Sequence, residues 1–107
     1  MAKKRSEPDP VDPVRVGGVR YEAVPWGKAR GLEQNGGYVA AFDEKTGKEL
    51  WLLKVYDVGY DGDMEADKQD VFVTSLDIDR EGRRLTVESE AGDRYAVDLE
   101  SRTVSPA

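Results

Sequence analysis

From Phe72 to Leu99 the chain alternates apolar and polar residues with a period of two, in runs separated by glycine turns. Phe72, Thr74, Leu76 and Ile78 alternate with Val73, Ser75 and Asp77 before the turn Asp79-Arg80-Glu81-Gly82. Leu85 and Val87 alternate with Arg84, Thr86 and Glu88 before Glu90-Ala91-Gly92-Asp93. Tyr95, Val97 and Leu99 alternate with Arg94, Ala96 and Asp98, and a last short strand is expected at Thr103-Val104. Successive side chains of a strand point to opposite faces, so this pattern asks for an antiparallel meander with one buried and one wet face.

The earlier part follows the same grammar. Val14-Arg15-Val16 and Val19–Val24 flank Gly17-Gly18. Two adjacent glycines supply the positive φ angles of a two-residue hairpin, and Pro25 ends the second run. Residues 26–37 read as a loop broken by glycines. Tyr38–Phe42 and Lys48–Tyr56 are the next strands, joined by Asp43-Glu44-Lys45-Thr46-Gly47. A type I turn followed by a left-handed Gly47 explains that string, with the Asp43 carboxylate capping the turn. Leu50-Trp51-Leu52-Leu53 is apolar on both faces, which implies either a central covered strand or an exposed contact patch. One short helical turn is expected within residues 64–70.

These readings add up to an all-β domain over residues 14–107, preceded by a disordered tail at 1–13, where Pro8, Pro10 and Pro13 block regular structure. About six or seven strands in a single antiparallel meander must hide their edges. The meander is therefore expected to curl into a barrel-like or strongly bent sheet, with two small sheets packed face to face as the alternative. Tyr21, Phe42, Leu50, Leu52, Phe72, Leu76, Ile78, Leu85, Val87, Tyr95, Val97 and Leu99 are the expected core.

Composition narrows function by exclusion. The 107 residues suit one domain. The net charge of −6 argues against nucleic acid, whose phosphates need a basic footprint. The absence of cysteine and histidine removes thiolate chemistry, Ser–His and Cys–His catalysis, and the commonest transition-metal ligands. No apolar stretch follows the basic N-terminus and none is long enough to cross a membrane, so no membrane partner is expected and the expected address is the cytoplasm.

Tyr38-Val39-Ala40-Ala41-Phe42-Asp43-Glu44-Lys45-Thr46-Gly47-Lys48-Glu49-Leu50-Trp51, within residues 37–51, resembles the blade repeat of pyrroloquinoline-quinone-type β-propellers. In that repeat a strand ending in Ala-x-Asp meets a Thr-Gly-Lys turn and a strand carrying tryptophan. Tyr95-Ala96-Val97-Asp98-Leu99-Glu100-Ser101 is a fainter echo without the glycine and the tryptophan. The match covers one hairpin, and the chain has room for two blades of ~40 residues at most, where a propeller needs four. No cofactor-binding residue transfers, and no cofactor is expected. Each of Asp43, Thr46 and Gly47 also has a local reason to sit in such a turn. The overall layout resembles small bacterial proteins of unassigned function.

Two candidate sites remain. In the acidic loop 57–70, Asp61, Asp63, Glu65 and Asp67 fall at alternate positions, as the first ligands of a calcium loop do. The full EF-hand pattern fails, because Ala66 and Phe72 stand where glycine and glutamate belong; the competing role is a solvated loop. Trp26, Trp51, Leu53 and Tyr56 are the candidate interaction surface, since aromatics dominate binding hot spots; the competing role is core packing. The expected function is a non-catalytic interaction or accessory module with a protein partner, monomeric or weakly homodimeric. Calcium binding, or a carboxylate-dependent hydrolase, is the alternative, and no catalytic residue is singled out.

Overall fold

The computed structural model describes residues 10–58 and 70–107. Eight strands form two four-stranded antiparallel sheets, each an up-and-down meander in chain order. The first sheet holds β1 (Val14–Val16), β2 (Val19–Val24), β3 (Tyr38–Asp43) and β4 (Glu49–Lys54). The second holds β5 (Val73–Ile78), β6 (Arg84–Ser89), β7 (Arg94–Asp98) and β8 (Thr103–Pro106). Among the described residues the one helical element is a 3-10 turn at Gly27–Arg30. The short helix expected within 64–70 lies outside the described residues, apart from Asp70. None of the described helical structure is long and apolar enough to cross a membrane.

The all-β reading holds, but the single curled meander does not: neither sheet closes or curls, and there are eight strands. The break falls between β4 and β5. Tight turns force most strands to pair with the next, whereas a long connection leaves pairing open: β2 pairs with β3 across residues 25–37, and β4 does not pair with β5 across residues 55–72. Among the described residues β5 pairs with β6 and not with β4, and the two sheets share one hydrophobic cluster. Tyr21, Val39 and Ala41 enter it from the first sheet, and Val73, Leu76, Leu85, Val87 and Val97 from the second. Val11, from the segment expected to be a tail, also packs against it.

The turns form where the glycines call for them. Gly17 and Gly18 both take positive φ, at 57° and 81°, as a two-residue hairpin requires. After β3, Asp43 Oδ1 accepts from the amides of Lys45 (2.8 Å) and Thr46 (3.2 Å), and the Gly47 amide donates to the Asp43 carbonyl. After β7 the same device recurs. Asp98 Oδ1 accepts from Glu100 and Ser101, and Arg102, at φ 59°, donates to the Asp98 carbonyl. The third-to-fourth-strand hairpins of the two sheets are thus built alike, with Arg102 taking the left-handed position that Gly47 holds in the first.

These turns carry a pH signature. Backbone donation, first from Arg84 and then from Arg83, holds the Asp79 carboxyl below the ordinary aspartate range. Donation from Ser101 and Glu100 does the same for Asp98. A carboxyl whose folded pKa is depressed stabilises the fold above its unfolded pKa and loses that contribution as pH falls through the folded value. Unfolding free energy should therefore drop as pH falls below about 4. Asp79→Asn with Asp98→Asn should flatten that drop, measured by urea titration across acidic pH. An unchanged acid slope in the double variant would show that these turns do not cause it.

One part of the expected core lies on the wrong face. β3 and β4 are in register from Tyr38–Lys54 to Ala41–Trp51, but Phe42 then pairs with Glu49. Leu50 is the extra residue of a β-bulge and is 48% exposed. Trp51 and Leu53 pack against the core cluster, while Leu52 and Phe42 are only half-buried on the opposite face. Ile78, Tyr95 and Leu99 are half-buried against the cluster, and the other expected core residues are buried.

The outer face of the first sheet is covered in part by the loop from Pro25 to Gly37. Tyr38 and Ala40 are buried there, outside the shared cluster. A Cβ on Gly27 would lie 2.7 Å from the Tyr38 ring, so only glycine lets the loop approach this closely. Arg30 clamps the loop to β4 through both carboxylate oxygens of Glu49, at 2.7 Å each, and Glu33 pairs with Lys54.

Candidate functional site

The four residues read as an interaction surface each pack against other parts of the chain. Trp26 precedes the 3-10 turn, is 37% exposed, and sets its ring edge-on to Phe72 at 5.4 Å. Trp51 and Leu53 alternate along the inner face of β4, with Trp51 tilted against Tyr21 at 5.9 Å. Tyr56 is buried and stacks on Tyr95 at 5.2 Å, and its hydroxyl donates to the Val71 carbonyl at 2.6 Å. Burial, with smaller contributions from Tyr95 and Glu90, pushes the Tyr56 hydroxyl well above the ordinary tyrosine range, so it stays protonated as a donor.

Asp61, Asp63, Glu65 and Asp67 lie outside the described residues. Among the described residues no group of three acidic, histidine or cysteine side chains is placed to hold a metal ion.

A polar knot that sequence reading passed over ties the loop to the end of β4. Gln34 is buried at 2% exposure. Its Nε2 donates to the carbonyls of Gly36 (2.7 Å) and Tyr56 (2.8 Å), and its Oε1 accepts from the Val58 amide (2.9 Å). Beside it, Asn35 Nδ2 donates to the buried Asp70 carboxylate at 2.9 Å, and Asn35 Oδ1 accepts from the Lys28 amide. Further on, Glu90 Oε1 accepts from the Phe72 amide while the Glu90 amide donates to the Phe72 carbonyl. The signal in the sequence was Gly36-Gly37. A Cβ on Gly36 would fall 2.1 Å from the Val71 carbonyl oxygen, and one on Gly37 2.8 Å from that of Tyr56. Paired glycines therefore mark a crossing of backbones here instead of a hairpin.

Three cavities lie among the described residues. One of about 100 Å³ is apolar, between Val11, Val24, Pro25 and Phe72; small-molecule sites usually run to ~300 Å³ or more. A wider depression of about 380 Å³ beside Tyr56, Tyr95 and Val104 has a single carboxylate, Asp57. A third, of about 340 Å³, has Asp98 and Glu100 with Arg83 and Arg84. Asp98 there is already committed to the turn amides.

The edge strand β4 is apolar from Leu50 to Leu53. It ends the first sheet, and among the described residues no strand pairs with its outer edge. The Val55 amide donates to the Gly37 carbonyl at 2.7 Å, in register with the Tyr38–Lys54 pair. Hydrogen-bonded and non-hydrogen-bonded pairs alternate along an antiparallel ladder. Trp51 and Leu53 are thus the residues whose backbone bonds β3, while the N–H and C=O groups of Leu52 and Lys54 point outward. Compared with known proteins, the chain matches no family model and no curated sequence.

Proposed function

We propose that this chain is a non-catalytic protein-interaction module that takes up an extended segment of its partner along the outer edge of β4. The observation that carries this reading is the open edge itself: a six-residue strand with Leu50 at 48% exposure and outward-pointing backbone groups at Leu52 and Lys54. Strand addition draws affinity from main-chain hydrogen bonds and specificity from alternating side chains. Apolar edge strands are otherwise blunted by charge or bulges. Here the charges, Glu49 and Lys54, stand at the two ends and the bulge lies at Leu50, so Trp51 to Leu53 run regular and apolar between them. On this reading the propeller-like string at residues 37–51 is a local turn solution that delivers β4 to the edge, and Trp51 and Leu53 anchor the strand from within.

Leu52→Pro tests it. The proline removes an outward N–H that β3 does not use, and proline is tolerated on edge strands for that reason. Immobilised wild-type chain should retain partner protein from a native cell extract, and the Leu52→Pro chain, with its thermal midpoint little changed, should not. Equal retention by both would overturn strand addition at β4.

A further inference from the structure

We propose that Asn35 is a deamidation site whose conversion releases the loop 25–37 irreversibly. Asn35 is the chain's single asparagine, and glycine follows it. With no side chain on Gly36, its nitrogen is the least hindered backbone nucleophile that an asparagine can meet. In the reaction that nitrogen bonds to the Asn35 Cγ. The side-chain nitrogen leaves as ammonia, taking the Gly36 amide proton, and a cyclic imide forms. Water then opens the imide at either carbonyl. The product is aspartate or, with the backbone rerouted through the side chain, isoaspartate at position 35. The closed loop opposes ring closure. Asn35 Nδ2 is held by the buried Asp70 carboxylate at 2.9 Å, and Oδ1 by the Lys28 amide at 3.1 Å. The backbone at Gly36 is wedged where one added carbon would lie 2.1 Å from the Val71 carbonyl oxygen. Reaction therefore waits for local opening of the loop. The same contacts then forbid its return. Aspartate sets a carboxylate oxygen where the amide donated to Asp70, and two carboxylates facing each other there repel. Isoaspartate lengthens the backbone where no added carbon fits. Conversion thus frees the outer face of the first sheet, where the Tyr38 ring is buried against Gly27.

Two experiments on the purified full chain test this. Peptide mass spectrometry follows position 35 at mildly alkaline pH, in buffer and in guanidinium chloride. The unfolded chain should convert, and the folded chain should convert about ten- to a hundredfold more slowly, as a gating opening of the loop requires. Comparable rates overturn the gating, and an amide still intact in the folded chain after about a hundred half-lives of the unfolded one overturns the site. In amide exchange, Asn35→Asp should quicken the Val58 amide, which donates to Gln34 in the closed loop, by about tenfold or more. Adding Asp70→Asn should slow it again, since an amide there can donate to the new carboxylate. Val58 exchange equal to wild type in Asn35→Asp overturns the release. Exchange undiminished by Asp70→Asn overturns the carboxylate repulsion that makes the release irreversible.

Discussion

Leu85→Ala should destabilise the domain by about 2–5 kcal/mol, a large part of the ~5–15 kcal/mol that separates a small folded domain from its unfolded chain. Leu85 has no exposed surface, sits in the cluster shared by both sheets, and lies between Ile78 and Val97 on neighbouring strands. Three carbons are removed from water-free surroundings, and the gap can close only if two hydrogen-bonded ladders bend toward each other, so most of the cavity stays. Leu76→Ala, at 7% exposure, should fall in the lower part of the same range. Leu50→Ala, on the bulge, should change stability by no more than about 0.5 kcal/mol. Urea unfolding of the three variants checks the order. A Leu85→Ala midpoint no lower than that of Leu50→Ala would mean that the second sheet buries its other face.

Gln34→Ala should cost about 3 kcal/mol, although it deletes a polar side chain from a loop. The amide satisfies three backbone groups at once: the Gly36 and Tyr56 carbonyls and the Val58 amide. Alanine leaves these without their side-chain partner in a region where Gly36, Gly37 and Tyr56 are all buried. An unmet buried donor or acceptor is more damaging than the bond is worth when made. Gln34→Glu distinguishes hydrogen bonding from packing. Its shape is nearly the same, but at neutral pH it sets a carboxylate against two carbonyl oxygens, so it should be at least as destabilising as alanine. Acid should restore part of the loss as that carboxyl protonates. Recovery starts above the ordinary glutamate value, because burial against two carbonyls raises it in the folded state, and ends at about pH 4. A Gln34→Glu variant as stable as wild type at neutral pH would show that the amide donors are dispensable.

β6 and β7 were legible almost residue by residue because tight turns join them, whereas in β5 a register shift between Val73 and Ser75 puts Val73 in the core cluster and leaves Thr74 exposed, against the alternation read from the sequence. Gly82 and Gly92 take the positive φ that the turns ask for, and alternation then dictates which side chains of β6 turn inward, as Leu85 and Val87 do. β4 was not legible in this way. Leu50-Trp51-Leu52-Leu53 is apolar on both faces, so alternation has no contrast to work with, and one bulge residue reverses the face of what precedes it. Reading Leu50 and Leu52 as core followed from assuming an unbroken strand. The interaction residues were chosen by type, and type does not say that Tyr56 lies buried on Tyr95 while Leu50 lies open.

By itself, the sequence determined what depends on neighbours along the chain. It settled the strand class through alternation, the turns through glycine and aspartate, and the inward faces of β2, β6 and β7. Each is decided by sterics and hydrogen bonding within a few residues. Only the tertiary structure decided what depends on partners far apart in sequence. The meander splits after Lys54, where a long connection leaves pairing open, and continues across residues 25–37, where another does; Gln34 becomes a keystone because Tyr56 and Val58 return to it across the fold. Among the described residues β4 is left as an edge because β5 begins a second sheet, and local sequence does not say whether β5 continues the first sheet or starts another.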